Sequence, residues 1–256
     1  MTRPDASVVK SAARTLEIFE YFDEVRRPVH IQEVAQALGY PHSSTAALLR
    51  SLADLGYLEF SAEDKTFFPS IRVSLLGHWV GEEFLPLRGV HQHMREMAEQ
   101  TEMTVVLGAA NGGWCQYVRV IEGTGPVRYH VQAGVRRSLA RSTLGHVLLG
   151  MEKPDDRRKA IARALAVWDG DPPPPAPEQV ERSAAQAASR GYAFNAGLVT
   201  PHAAMLAAPL PVSPPARPLA IALAAPQALF NGRRAELLQN MREVLGDLRP
   251  SARRSA

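Results

Sequence analysis

The chain has 256 residues, of which 46% are hydrophobic and 21% charged, which suits a packed core and excludes wholesale disorder. Its single cysteine, Cys115, excludes an intrachain disulfide framework and a cysteine-rich zinc site. The formal net charge is +3, but residues 1–80 carry 8 basic against 10 acidic side chains, so charge alone does not mark the N-terminal part as a nucleic-acid binder.

The opening residues lack the apolar stretch of a signal peptide. No run of 18 or more apolar residues occurs. Membrane spanning and secretion are therefore not expected, and a cytoplasmic protein is. Residues 8–25 predict an amphipathic helix with Val9, Ala12, Leu16, Phe19 and Phe22 on one face, ended by Pro28. Ile31, Val34, Ala35 and Leu38 predict a second, short helix stopped by Gly39. After Pro41, the residues Thr45, Leu48, Leu49, Leu52 and Leu55 form a third apolar stripe that stops at Gly56. The run YLEF, a polar AEDK turn and TFF then predict a small hairpin. Three short helices and a hairpin describe a winged helix-turn-helix, and the short link Gly39-Tyr40-Pro41 suits its tight turn.

Helical spacing resumes from Ile71 to Gln100, where Pro86 and Gly89 divide it into a linker helix and a second helix. Beyond it, residues 103–110 and 114–123 read as strands joined by Asn111-Gly112-Gly113. Residues 127–131 read as a third strand. Helices are predicted over 141–151, 155–167 and 178–190, with a stiff proline-rich loop at 169–177. Three more strands, in 191–195, 203–212 and 218–226, precede a helix at 232–248. The tail RPSARRSA is expected to fray.

Several of these segments resemble one family. Arg14 to Ile18, Val34 to Gly39, Ser43-Ser44 through Leu49, and Leu52 with Leu55 to Leu58 are similar to the N-terminal half of the IclR family of bacterial transcriptional regulators. The strand Thr104–Leu107, the stretch Ser138–His146, the turn Arg190-Gly191-Tyr192 and the strand Ala207-Ala208-Pro209 resemble its effector domain in order and spacing. The resemblance implies an α+β chain with a winged helix-turn-helix over 1–70, a linker helix over 71–85, a GAF-like α/β effector domain over 86–249 and a tail at 250–256. It implies a regulator of a metabolic operon that binds double-stranded operator DNA and a small-molecule effector. It also implies a homodimer or homotetramer, and it calls for no cofactor, metal or catalysis.

In such a motif the second helix of the pair enters the major groove. With the leucines inward, positions 43, 46, 47, 50 and 54 face outward. Ser43, Ser44 and Arg50 are the polar candidates there, with His42 at the helix entry. Ser43 or Ser44 could equally cap the helix. The family commonly carries basic residues where this chain has His42 and Ala47, so phosphate contacts are sought from Arg3, Lys10, Arg14, Arg26, Arg27 and, in the wing, Lys65. Arg14 matches a family position that touches DNA.

In the C-terminal half, Trp114, Tyr117, Arg119, Arg128, Tyr129, His130, Arg136, Arg137, Arg141 and Ser142 fall across three strands and a helix start. The resemblance places an effector pocket between the sheet and the loop near 134–146, with residues 204–208 on its wall. Trp114, Tyr129, Arg136, Arg141, Ser142, Gly145 and Met205 are its candidate contacts. Ser142, Thr143 and Gly145 open a helix whose N–H groups attract an anion, and arginine suits a carboxylate, so a small organic acid with a hydrophobic body is expected. His91 and His93, two apart on a helix, diverge and make a poor metal pair. Two other readings stay open: an enzyme or redox sensor on the GAF-like domain, which would want more than one cysteine, and a regulator without ligand response.

Overall fold

The computed structural model describes residues 9–84, 89–126, 131–168, 173–211 and 217–246, with side chains placed in the first segment as far as Gly77. The chain divides into two compact units, 1–84 and 85–256, which are taken separately.

The first unit contains α1 (Lys10–Val25), α2 (Ile31–Leu38), α3 (His42–Asp54), the antiparallel strands β1 (Leu58–Ser61) and β2 (Thr66–Pro69), and α4 (Ile71–Phe84). Its core is Ile18, Phe22, Val29, Val34, Leu49, Leu52, Leu58 and Phe67. The inner face of α1 differs from the sequence expectation. Ile18 is fully buried, whereas Val9 and Leu16 are 68% and 64% exposed. Two apolar stripes run along α1, and helical spacing alone could not tell which one faces α2 and the hairpin. Leu55 is also exposed, because α3 ends at Asp54 and the chain has turned away by then. Arg26, in the left-handed region at φ 50°, ends α1 with its N–H on the Phe22 carbonyl. Gly39, at φ 68°, ends α2 in the same conformation, which a residue without Cβ adopts freely.

The second unit is a six-stranded antiparallel sheet in the order β5-β4-β3-β8-β7-β6. Its strands are β3 (Thr104–Asn111), β4 (Trp114–Ile121), β5 (Arg136–Ser138), β6 (Ala193–Ala196), β7 (Ala203–Pro209) and β8 (Leu219–Pro226). Helices α5 (Val90–Thr101) and α9 (Arg234–Gly246) cover one face, packing Met94, Met97, Leu237 and Met241 on Val105, Leu107, Ile221 and Leu223. Helices α6 (Thr143–Met151), α7 (Pro154–Ala166) and α8 (Pro177–Arg190) cover the other, over Val106, Cys115, Tyr117, Ala207, Ala220 and Ala222. Every residue of α6 from Thr143 to Leu149 is buried, so this helix is enclosed between the sheet and the outer helices.

The strand expected at 127–131 falls largely outside the described residues. The strand that pairs with β4 at that edge of the sheet is β5, with Ser138 opposite Trp114 and Arg136 opposite Gln116. Three residues with two arginines carry too little alternation to announce a strand. A 3₁₀ turn, Leu139–Arg141, separates β5 from α6, where sequence spacing had begun the helix at 141. Among the described residues, no helix is long and apolar enough to cross a membrane.

Candidate functional site

In the first unit, α3 buries Thr45, Ala46, Leu49 and Leu52 and leaves His42, Ser43, Ala47 and Arg50 exposed. Ala46, expected outward, faces the core instead. Neither serine caps the helix. Pro41 occupies the N-cap position, and its carbonyl accepts from Ser44 Oγ at 3.0 Å and Thr45 Oγ1 at 3.1 Å. Ser44 is thereby held against its own helix, while Ser43 makes no side-chain hydrogen bond among the described residues. Arg14 of α1 lies over the ring of Tyr40, in the turn before α3, with its guanidinium 4.7 Å from the ring centroid. That stacking holds a cation beside the entry to α3.

Lys65 sits at the hairpin turn with φ 53°, its side chain exposed and its carbonyl 3.2 Å from His30 Nδ1. Arg26 and Arg27 are engaged elsewhere. Arg26 approaches Asp23 at 3.6 Å, and Arg27 forks onto both oxygens of Glu33 at 3.1 and 3.2 Å. The same Glu33 carboxylate accepts from His30 N–H, and it is held below the usual carboxylate range chiefly by its hydrogen bond from Arg27. These two arginines each face a carboxylate across an exposed ion pair, and Arg3 lies outside the described residues.

In the second unit a concavity open to solvent lies between the start of α6 and the sheet. Ser142 and Thr143 line it from the helix start, Tyr117 and Met205 from the strands, and Arg137 and Asn195 add polar groups. Ser142 is also the N-cap of α6, accepting from Gly145 N–H at 3.0 Å. The Gly145 N–H expected to meet an anion is therefore already satisfied. Gly145 is needed for packing, since a Cβ there would fall on the backbone carbonyl of Leu139. Among the described residues Asn195 Nδ2 donates to Thr143 Oγ1 at 3.2 Å and approaches His146 Nδ1 at 3.4 Å, while His146 Nε2 lies 3.2 Å from the Ala140 carbonyl. The carbonyl can only accept, so the Nε2–H tautomer fits both contacts. Burial holds His146 below the ordinary imidazole range, and it pushes the Cys115 thiol and the Tyr117 phenol up to about 12.

Trp114, Arg136 and Arg141 do not line this concavity. They lie in an adjoining solvent-open hollow, with Arg137, Trp168, Val199 and Thr200. Arg119 is remote from both, because it reaches across to His91 of α5 at 3.1 Å. Arg128, Tyr129 and His130 lie outside the described residues. His91 also meets Arg95, while His93 is 2.7 Å from the Gly89 carbonyl, so the two imidazoles face different partners.

Two family models match the chain. The IclR helix-turn-helix domain matches residues 11–62, and the bacterial transcriptional regulator IclR C-terminal domain matches residues 87–248. The chain belongs to the IclR family of bacterial transcriptional regulators. That family consists of regulators, not enzymes. Over 142 residues the chain is 23% identical to the HTH-type transcriptional regulator XynR of Escherichia coli, a stretch covering 56% of each protein. Over 208 residues it is 24% identical to the transcriptional repressor IclR of the same organism, covering 76% of this chain and 72% of that one. The chain thus spans little more than half of XynR. Among solved structures, an IclR homolog from Microbacterium hydrocarbonoxydans complexed with 4-hydroxybenzoate superposes with a TM-score of 0.72. It is 21% identical, with 94% of this chain and all of that one covered. The IclR-type regulator from Alicyclobacillus acidocaldarius gives 0.68 at 18% identity, with 94% and 98% covered. At these identities the likeness is one of fold.

Within this IclR fold, Asn195 joins the pocket without any signal in the sequence, and Arg137 enters it although Arg136 and Arg141 were the arginines expected there. The missing information was register. Asn195 stands opposite Met205 in the β6–β7 pair, and Arg137 opposite Cys115 in the β4–β5 pair. A one-residue slip would have turned each away.

Proposed function

We propose that this IclR-family member is a cytoplasmic, ligand-responsive regulator that binds double-stranded operator DNA as a homo-oligomer and controls a metabolic operon. The observation that carries the DNA reading is the row His42, Ser43 and Arg50, left exposed along α3 while its other side is buried in the winged core. Arg50 forks onto a guanine edge, Ser43 meets a base or phosphate, and Arg14, Lys65 and Ser44 lie at the flanks as backbone contacts.

The effector is a small organic acid with an apolar body, held in the concavity of Ser142, Thr143, Asn195 and Met205 with Arg137 as its counter-charge. The apolar share of that wall supports the hydrophobic body, and Arg137 supports the acid. The homolog crystallised with 4-hydroxybenzoate agrees in ligand class. Micromolar affinity requires about 8 kcal/mol, more than one charge-assisted hydrogen bond supplies, so apolar burial has to contribute the larger part.

The test is footprinting of the protein on its own promoter region, with and without a panel of aromatic and aliphatic acids. Protection of an inverted repeat that shifts with an acid and not with its amide is the expected result. Absence of any sequence-specific protection at moderate salt would reject the reading.

A further inference from the structure

The second concavity of the C-terminal unit has a chemistry of its own. Three guanidiniums, those of Arg136, Arg137 and Arg141, line it together with two indoles. Arg136 stacks over Trp114 at 5.6 Å and Arg141 over Trp168 at 5.4 Å. Arg141 Nε also reaches the Leu198 carbonyl at 3.5 Å. Among the described residues none of the three arginines pairs with a carboxylate, whereas Arg157, Arg158 and Arg233 each do. Cations gathered around one hollow repel one another until an anion joins them. The indole faces restrict where two of those cations can go, so less freedom is lost when a ligand arrives.

The neighbouring concavity is different. It is lined by Val131, Leu198, Ala203 and Met205 and holds only Arg137 as a cation. We propose that the hollow lined by Arg136, Arg137 and Arg141 is a separate site for a compact small-molecule polyanion bearing two or more carboxylate or phosphate groups. A single acid on a hydrophobic body suits the first concavity, while multiple oxyanions suit the second. Arg137 borders both, so the two ligands compete for its charge and each weakens the other when both are present. The second site stands independently of whether the first takes the organic acid.

Calorimetric titration of the full-length protein at matched ionic strength tests this with citrate, pyrophosphate and benzoate as probes. Citrate or pyrophosphate is expected to bind, and which of them binds more tightly assigns the carboxylate or the phosphate class. The Arg136→Ala/Arg141→Ala variant should lose about tenfold or more in that affinity for each arginine removed, as expected for a lost charge-assisted hydrogen bond. Arg141→Lys, which keeps the charge and most of the stem, should fall between the two and guards against a folding defect. Met205→Trp, which fills the first concavity, should leave the polyanion response in place. The DNA-facing residues are untouched in all these variants. Equal polyanion binding by wild type and the double variant would place the anions elsewhere and overturn the proposal. Binding of neither citrate nor pyrophosphate above the matched-salt control would overturn it as well.

Discussion

Single side chains in this protein are held by neighbours that change what their substitution would report. Arg50 is exposed on the outer face of α3, so Arg50→Ala should leave folding intact. It should weaken operator binding by about 1–3 kcal/mol, with relaxed preference at one position per half-site. Binding to a panel of single-base operator variants measures this, and an unchanged preference profile would remove Arg50 from the reading surface. Arg14 is tied to Tyr40, so Arg14→Ala should lower both DNA affinity and thermal stability, the latter by about 0.5–1 kcal/mol.

His146 offers a pH signature. Its folded-state pKa lies below the ordinary 6.5 because burial disfavours the imidazolium. The unfolded chain therefore takes up the proton first as pH falls. This contribution to stability is complete above the unfolded value and is lost as pH drops through it toward the folded value. Thermal midpoints recorded from neutral pH down to about 5 should show a decline that His146→Gln flattens. A parallel decline in wild type and variant would assign the loss to other groups. The buried Cys115 thiol, pushed up to about 12, should resist alkylation at mildly alkaline pH until the protein unfolds.

Among the elements, α6 is the most constrained, enclosed on all sides and started by the Ser142 cap. Ser142→Ala should cost about 1 kcal/mol through the lost cap alone. Gly145→Ala should cost about 1–3 kcal/mol, because the added methyl meets the Leu139 backbone, which cannot swing aside as a side chain would. Chemical denaturation of both variants checks these values. A stable Gly145→Ala that merely lost ligand would return this glycine to the binding surface. In the first unit, Arg72 fastens the start of α4 to the winged core. It donates to the Leu55 carbonyl at 2.9 Å and stacks on Tyr57 at 4.7 Å. Helix α4 thereby leaves the hairpin in a fixed direction, which matters if it is to carry a partner.

At the scale of the whole molecule the expectation is association. Ile71, Leu75 and Leu76 of α4 are 74%, 61% and 57% exposed, a run of large apolar groups that water does not favour. Trp79, Val80 and Phe84 continue the same helix, and their side chains lie outside the described ones. A homo-oligomer packed through this segment should sediment above monomer mass at micromolar concentration. Leu75→Glu/Leu76→Glu should shift it toward monomer and reduce operator affinity together, since two half-sites require two winged units. A monomeric wild type would defeat the association and, with it, the inverted-repeat operator.

The sequence by itself determined the kind of molecule this is. Residues near one another in the chain, such as the helices and stops at Gly39 and Gly56, the AEDK turn and the Asn111-Gly112-Gly113 turn, declared the winged motif and the first hairpin of the sheet. Those signals are local: turn chemistry and side-chain period act within a few residues. The assembly of the pocket was decided only in three dimensions. Pairing Asn195 with Met205 and Arg137 with Cys115 depends on strand register, which the flanking chain does not state. The choice of Ile18 over Leu16 as the inward side of α1 depends on where α2 and the hairpin lie. Most consequential was the division of the arginines. In sequence Arg136, Arg137 and Arg141 form one basic cluster beside the pocket. In the fold Arg136 and Arg141 stand over indoles in a neighbouring hollow, while Arg137 borders both that hollow and the apolar one, a division set by the pairing of β5 with β4 and by the turn Leu139–Arg141 that follows it.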